Sequence, residues 1–263
     1  MTSRLMIIPA AGVGSRLKSE TPKILFPVNG RPMIDYLFDL YATVVDRFVL
    51  VIHPSSAPAL ERHCAESRLP IELEFQTSPT GMLDAIMIPQ NVIRRQVPDQ
   101  VLITWCDQIA VRPQTVRRLI ETANARKDAA VVMPTIIKPQ PYIHWVRNDQ
   151  GKIVGLLQRR EGDAMPDIGE GDIGLFALSG RAYLDLLPRF AAEAGAGSMT
   201  EERNFLPFIP WLEKQPYDGI AVSTFPATSE IESVGINTRD DLAVIEQHLN
   251  NERTQAFSHH SSL

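Results

Sequence analysis

Near the N-terminus a short apolar strand, Leu5 to Ile8, runs into Ala10-Ala11-Gly12-Val13-Gly14, and two cations, Arg16 and Lys23, follow. A strand that ends in small residues and then meets positive charge specifies the first strand–turn unit of an anion site. Glycines let backbone N–H groups come close to oxygen atoms, and a turn of successive N–H groups forms an anion-binding concavity. Two familiar phosphate loops do not match. A dinucleotide fingerprint needs a third glycine three places after Gly14, and a Walker A loop needs glycine five places after Gly12. Both requirements fall on Leu17.

The wider run Ala10-Ala11-Gly12-Val13-Gly14-Ser15-Arg16, followed by Pro22-Lys23 and Gly30-Arg31-Pro32-Met33-Ile34, resembles the signature of the nucleotidyltransferases that make nucleotide-sugars. The stretch resembles the N-terminal uridylyltransferase domain of the bacterial N-acetylglucosamine-1-phosphate enzymes. The resemblance implies an α/β, Rossmann-like (GT-A-type) fold with a mostly parallel sheet flanked by helices and a smaller, β-rich acceptor lobe in the second half. It implies that Ala10, Ala11, Gly12, Gly14 and Ser15 bind the nucleotide, with Arg16 on the departing phosphates and Lys23 on the α-phosphate and incoming phosphate. The substrates implied are a nucleoside triphosphate, UTP favoured, and a sugar-1-phosphate, with Mg²⁺ as cofactor.

The periodicity along the chain agrees with that fold class. Met33 to Tyr41 has apolar residues at helical spacing, Phe48 to Ile52 is a continuous apolar run that reads as a buried strand, Ile71 to Phe75 is the next strand, and Ala57 to Ser67 lies between them as a modest helix. Strand, helix and strand in alternation indicate a parallel sheet with crossover helices. Val101 to Thr104 is the next strand, Pro113 to Ala125 an amphipathic helix, and Ala129 to Met133 a further buried strand. Beyond Pro134 a hairpin is expected, Tyr142 to Arg147 and Lys152 to Gln158 around Asn148-Asp149-Gln150-Gly151. Ala182 to Phe190 and Leu242 to Leu249 read as helices and Ile220 to Phe225 as a strand. A single domain is expected over 1–254, nucleotide half 1–135 and acceptor half 136–254, with a polar tail at 255–263.

Three further segments carry the site. Gln76-Thr77-Ser78-Pro79-Thr80-Gly81 leaves a strand and precedes a helix. By the resemblance Gln76 and Gly81 hold a pyrimidine base, and an amide side chain does offer the donor and acceptor that an imide edge requires. Met82-Leu83 departs from the Gly-His often found there. Asp107 lies just past the carboxyl end of a strand, where open parallel sheets bind ligands. Asn237, in Gly235-Ile236-Asn237-Thr238-Arg239, precedes the last helix. The resemblance makes Asp107 and Asn237 the Mg²⁺ ligands. Taken alone, each is equally a cap of the element that follows it.

The acceptor side departs from the family. Gly169-Glu170-Gly171-Asp172-Ile173-Gly174 only partly matches the family's Asn-x-Gly segment, with Asp172 in the asparagine's place. Gln158 replaces a glutamate and Pro141 a glycine. Gln158, Glu170, Asp172 and Gly174 are the acceptor-binding candidates, and the departures imply the same reaction on a different phosphorylated acceptor. Tyr142 and Trp145 are open to two readings, stacking on a sugar or packing in a core. The Arg159–Asp163 run is either a pocket rim or a surface turn, and Glu202 and Asn204 either meet the acceptor or cap a helix.

Composition narrows the partners. A net charge of −5 over 263 residues argues against nucleic acid. No run reaches the length of a membrane span, Pro9 interrupts the only early apolar run, and Cys64 and Cys106 form no metal or redox pair. A soluble, cytoplasmic protein, open to oligomerisation, is expected. The long hexapeptide-repeat acyltransferase domain of the bifunctional enzymes has no counterpart in period here, so the second activity is not expected. An isoprenoid-type cytidylyltransferase would present a Gly-Gly-x-x-x-Arg base loop that Gln76–Gly81 does not supply. A glycosyltransferase would need an Asp-x-Asp pair, whereas Gln108-Ile109 follow Asp107. A catalytically silent nucleotide-sugar sensor would have no need of Arg16, Lys23, Asp107 and Asn237 together.

Overall fold

The strands Arg4–Pro9, Arg47–Ile52 and Gln100–Thr104 are buried almost throughout, and burial on both faces requires helices above and below the sheet. The computed structural model describes residues 2–12 and 21–260. In chain order the elements are β1 (Arg4–Pro9), β2 (Pro27–Val28), β3 (Arg31–Pro32), α1 (Met33–Tyr41), β4 (Arg47–Ile52), α2 (Ala57–Cys64), β5 (Ile71–Phe75), α3 (Met82–Met87), α4 (Gln90–Gln96) and β6 (Gln100–Thr104). There follow α5 (Pro113–Ala125), β7 (Ala129–Pro139), β8 (Ile143–Arg147), β9 (Ile153–Gln158), β10 (Ile168–Asp172), β11 (Leu175–Ser179), a π-turn at Ala182–Leu186, α6 (Leu187–Glu193), α7 (Phe208–Leu212), β12 (Ile220–Pro226) and α8 (Arg239–His260).

The central sheet has the order β10-β7-β11-β6-β1-β4-β5, with β12 also pairing β7. The pairs β5–β4, β4–β1, β1–β6 and β12–β7 are parallel, whereas β11 runs antiparallel to β6 and β7. Alternation along β1 divides two cores: Met6 and Ile8 pack with α1 and α5, and Leu5 and Ile7 with α3, α4 and Tyr183. On α5 the buried residues Thr115, Val116, Leu119 and Ala123 fall on one face, with Pro113 at the first helical position.

The second half gives β7, β10, β11 and β12 to that same sheet, and β8–β9 form a separate two-stranded hairpin. The β8–β9 turn follows its sequence: Asn148 Oδ1 accepts from the Gln150 and Lys152 N–H groups, and Gly151 takes a positive φ of 76°. β7 is longer than the sequence suggests, continuing past Pro134 to Pro139. Its partner on one edge changes there, from β11 at Val131 and Val132 to β10 from Thr135 onward. A proline at a change of partner costs little, because the ladder needs no donor from it. α8 is also longer than expected at both ends, and part of the expected tail lies in it. It starts early because Asp241 Oδ2 accepts from the Asn237 and Thr238 N–H groups at 3.0 and 2.8 Å. No described helix is long and apolar enough to cross a membrane.

Candidate active site

β1 delivers the glycine-rich turn to the carboxyl edge of the sheet, where the Ala10 N–H still donates to Val51 O at 2.7 Å. Ala10 is buried, and Gly12 is exposed with nothing within 4 Å of where its Cβ would stand. Among the described residues no packing demand therefore explains Gly12. The expectations for Gly14, Ser15 and Arg16 lie outside the described residues.

Lys23 opens a single 3-10 turn, Lys23–Leu25, held by Leu25 N–H donating to Pro22 O and by fully buried Ile24. The side chain is aimed inward: Lys23 Nζ donates to Asp107 Oδ2 at 2.5 Å and to Asn237 Oδ1 at 2.9 Å. Asp107 is carried past the end of β6 by Trp105, whose N–H donates to Gly174 O at 3.1 Å. Asn237 is set beside it because the Ile236 N–H donates to Asp107 O at 3.2 Å. The Asn237 amide is oriented by its Nδ2 donating to Gly235 O at 3.2 Å, which turns Oδ1 toward Lys23. Gly235 permits this approach, since a Cβ there would stand 3.1 Å from the Asp107 carboxylate carbon.

Two hard oxygens, one carboxylate and one amide, thus converge on a single cationic point, at present filled by an ammonium group. This donor set fits Mg²⁺, which is commonly held by one or two protein oxygens and completes its shell with phosphate and water. Among the described residues no group of three or more His, Cys, Asp or Glu side chains could hold a metal unaided, so the remaining ligands would come from substrate. Cys106 next door is buried, and burial pushes its thiol up to about 12, which makes it an inert packing residue.

The base-loop residues come together as expected. Gln76 Nε2 donates to Gly81 O at 3.1 Å, tying the end of β5 to the start of α3. Gly81 has φ +123°, and a Cβ there would meet Arg203 O at 2.3 Å. The Arg203 backbone is bonded to this turn on both sides, its N–H to Thr80 O and its O to the Leu83 N–H, while its guanidinium pairs with Asp84. Arg203 was not singled out by sequence reasoning, for a backbone contact has no residue-type signature.

On the acceptor side the four candidates are engaged within the protein. Gln158 Oε1 accepts from Asn204 Nδ2. Glu170 is held in a two-pronged pair by Arg147, with Nε and Nη2 each at 2.6 Å. Asp172 Oδ1 accepts the Gly174 N–H at 2.6 Å, and burial pushes its carboxyl up to about 6. Gly174, at φ +71°, lies against Trp105, so Asp172 and Gly174 shape the turn that positions the strand bearing Asp107. Pro141 packs over Gly169, where a Cβ would stand 2.9 Å from the proline ring.

Burial and bonding show where these residues stand. Trp145 is 1% exposed and belongs to the core, whereas Tyr142 is 53% exposed. The Arg159–Asp163 run is clasped to a neighbouring loop, Glu161 accepting from Thr200 Oγ1 at 2.6 Å and Met199 N–H at 3.0 Å. Asn204 caps its own turn, accepting from the Leu206 N–H at 3.0 Å. Glu232, unremarked in the sequence, is fully buried. Its signal was the Ser229-x-x-Glu232 capping-box spacing.

The MobA-like NTP transferase domain matches residues 6–204. Bifunctional protein GlmU of Pseudomonas aeruginosa is 25% identical over 244 residues, covering 92% of this chain and 51% of the relative. The same-named protein of Pseudothermotoga lettingae is 27% identical over 243 residues, covering 92% of this chain and 50% of the relative. The chain spans about half the length of the curated relatives it matches. With most of its length under the family match, the chain belongs to the MobA-like NTP transferase domain family of nucleotidyltransferases.

Proposed function

We propose that this chain transfers a nucleoside monophosphate from a nucleoside triphosphate, UTP favoured, to a sugar-1-phosphate or related phosphorylated acceptor in the cytoplasm, releasing pyrophosphate with Mg²⁺ as cofactor. The observation that carries the reading is the convergence of Lys23 Nζ, Asp107 Oδ2 and Asn237 Oδ1 just past the carboxyl end of β6.

An oxygen of the acceptor phosphate attacks the α-phosphorus in line, and the oxygen bridging the α- and β-phosphorus leaves with pyrophosphate. The attacking oxygen already carries charge at neutral pH, so no general base is required. Catalysis then rests on positioning and on charge neutralisation. Backbone N–H groups from Ala11 to Gly14 cradle the triphosphate, and Arg16 neutralises the departing phosphates. Lys23 leaves the gap between Asp107 and Asn237 to meet the α-phosphate and the incoming phosphate. Asp107 and Asn237 would hold Mg²⁺, which would supply further neutralisation of phosphate charge. Gln76 and the Gly81 turn hold the base. The replacements at Pro141, Gln158 and Asp172 support an acceptor different from N-acetylglucosamine-1-phosphate, recognised by the wall that Gln158, Glu170, Asp172 and Gly174 build.

The test is a matrix of UTP, CTP, dTTP and GTP against a panel of sugar-1-phosphates and other phosphate monoesters, read as pyrophosphate. Acceptor-dependent release with one nucleotide preferred is expected. Absence of release with every combination, or undiminished Mg²⁺-dependent turnover in Asp107→Ala, would overturn the reading.

A further inference from the structure

Glu232 is wholly buried in the short turn Glu230–Ser233, and both of its carboxylate oxygens accept hydrogen bonds. Oε1 accepts from the Thr228 N–H at 2.8 Å, the Thr228 hydroxyl at 2.6 Å and the Ser229 N–H at 3.0 Å. Oε2 accepts from the Arg112 N–H at 3.0 Å. The first three close a capping box within Glu232's own segment. The fourth reaches across to the segment that leaves Asp107. Arg112 stands five residues after Asp107, and Glu232 five residues before Asn237. The Ile236 N–H, donating to Asp107 O at 3.2 Å, also joins these segments.

A local cap does not require a carboxylate buried beyond the reach of water, and such burial costs several kcal/mol unless every lone pair is met. Here the donors come from both segments whose relative placement sets the gap between Asp107 and Asn237. That gap has little tolerance, because Gly235 already lies at contact distance from the Asp107 carboxylate. We propose that Glu232 is a positioning residue for the metal pair, tying the Asp107 strand exit to the Gly235–Asn237 turn so that both ligand oxygens address one ion. The proposal rests on the Mg²⁺ reading above.

Glu232→Gln keeps the shape and one acceptor oxygen but sets an NH₂ against one of the four donors. With Mn²⁺ as the probe, titrated by electron paramagnetic resonance in the presence of α,β-methylene-UTP, the variant is expected to bind about 10- to 100-fold more weakly. The Mg²⁺ concentration for half-maximal rate should rise by the same factor, with the triphosphate KM at saturating Mg²⁺ within about twofold. Tyr183→Phe, which loses a buried hydrogen bond to Ile86 O on the other core, controls for general loosening and should leave Mn²⁺ affinity unchanged. Should Glu232→Gln fail to fold, Arg112→Pro removes the cross-segment donor, at a φ of −85° close to what proline enforces, together with the Arg112–Glu252 ion pair at 3.7 Å, whose own contribution Arg112→Ala reads. It is expected to weaken Mn²⁺ binding in the same direction. Retained Mn²⁺ affinity in Glu232→Gln or Arg112→Pro, alongside loss in Asp107→Ala and Asn237→Ala, overturns the proposal alone. Retained affinity in both ligand variants overturns the metal reading and the proposal with it.

Discussion

Gly81→Ala tests the base loop most directly, because its cost can be worked from geometry. At φ +123° and ψ 175° the backbone is in a region that only glycine occupies comfortably. Forcing alanine into it costs about 1–3 kcal/mol. The new Cβ would stand 2.3 Å from Arg203 O and 2.5 Å from Arg203 N. Both are main-chain atoms, so no rotamer change relieves the overlap. Relief needs a shift of about 1 Å, which would break Leu83 N–H to Arg203 O and Arg203 N–H to Thr80 O, at 3.0 and 2.8 Å. Each lost bond contributes about 1 kcal/mol. The expected destabilisation is about 3–5 kcal/mol, a large share of the roughly 5–15 kcal/mol typical of a native domain. Urea unfolding followed by circular dichroism reads it, and the triphosphate KM should rise at least tenfold because Gln76 loses its fixed partner at Gly81 O. A loss under about 1 kcal/mol with an unchanged KM would refute the reasoning.

Three more outcomes follow from the same coordinates. Lys23→Met should lower kcat by about 10²-fold or more yet strengthen Mn²⁺ binding without nucleotide, since the oxygens of Asp107 and Asn237 lose the ammonium between them; unchanged or weaker Mn²⁺ binding would count against it. Gly235→Ala brings a Cβ to 3.1 Å from the Asp107 carboxylate and should cut kcat roughly tenfold, with a thermal midpoint close to wild type; undiminished turnover counts against the close-contact reading. Burial, the largest cause, raises the Asp172 carboxyl to about 6, so the fold favours the neutral form. That stability is complete below the unfolded value near 4 and is lost as pH rises through about 6. Asp172→Asn should therefore be more stable than wild type at pH 8 by on the order of 2 kcal/mol and lose this advantage by pH 4. An equal difference at both pH values in urea unfolding would sink it.

Much of this molecule is written locally in its sequence. The apolar runs of β4, β5 and β6 and the single-faced pattern of α5 have the bounds expected to within a residue or two, because period and burial are properties of neighbouring residues. Gly12, Lys23, Gln76, Gly81, Asp107 and Asn237 could be picked out by residue type and by position after a strand or before a helix. Pairing was not legible. β7 runs on to Pro139 because β10 and β12 come to lie beside it, and the apparent acceptor side chain Glu170 is drawn to Arg147 across the β8–β10 contact. Only the tertiary structure decided that Lys23 sits between Asp107 and Asn237, that Arg203 backs Gly81, and that Glu232 joins the Asp107 and Asn237 segments. Turn chemistry and periodicity act over a few residues, whereas these contacts exist only once the sheet has set the order of strands remote from one another in the chain.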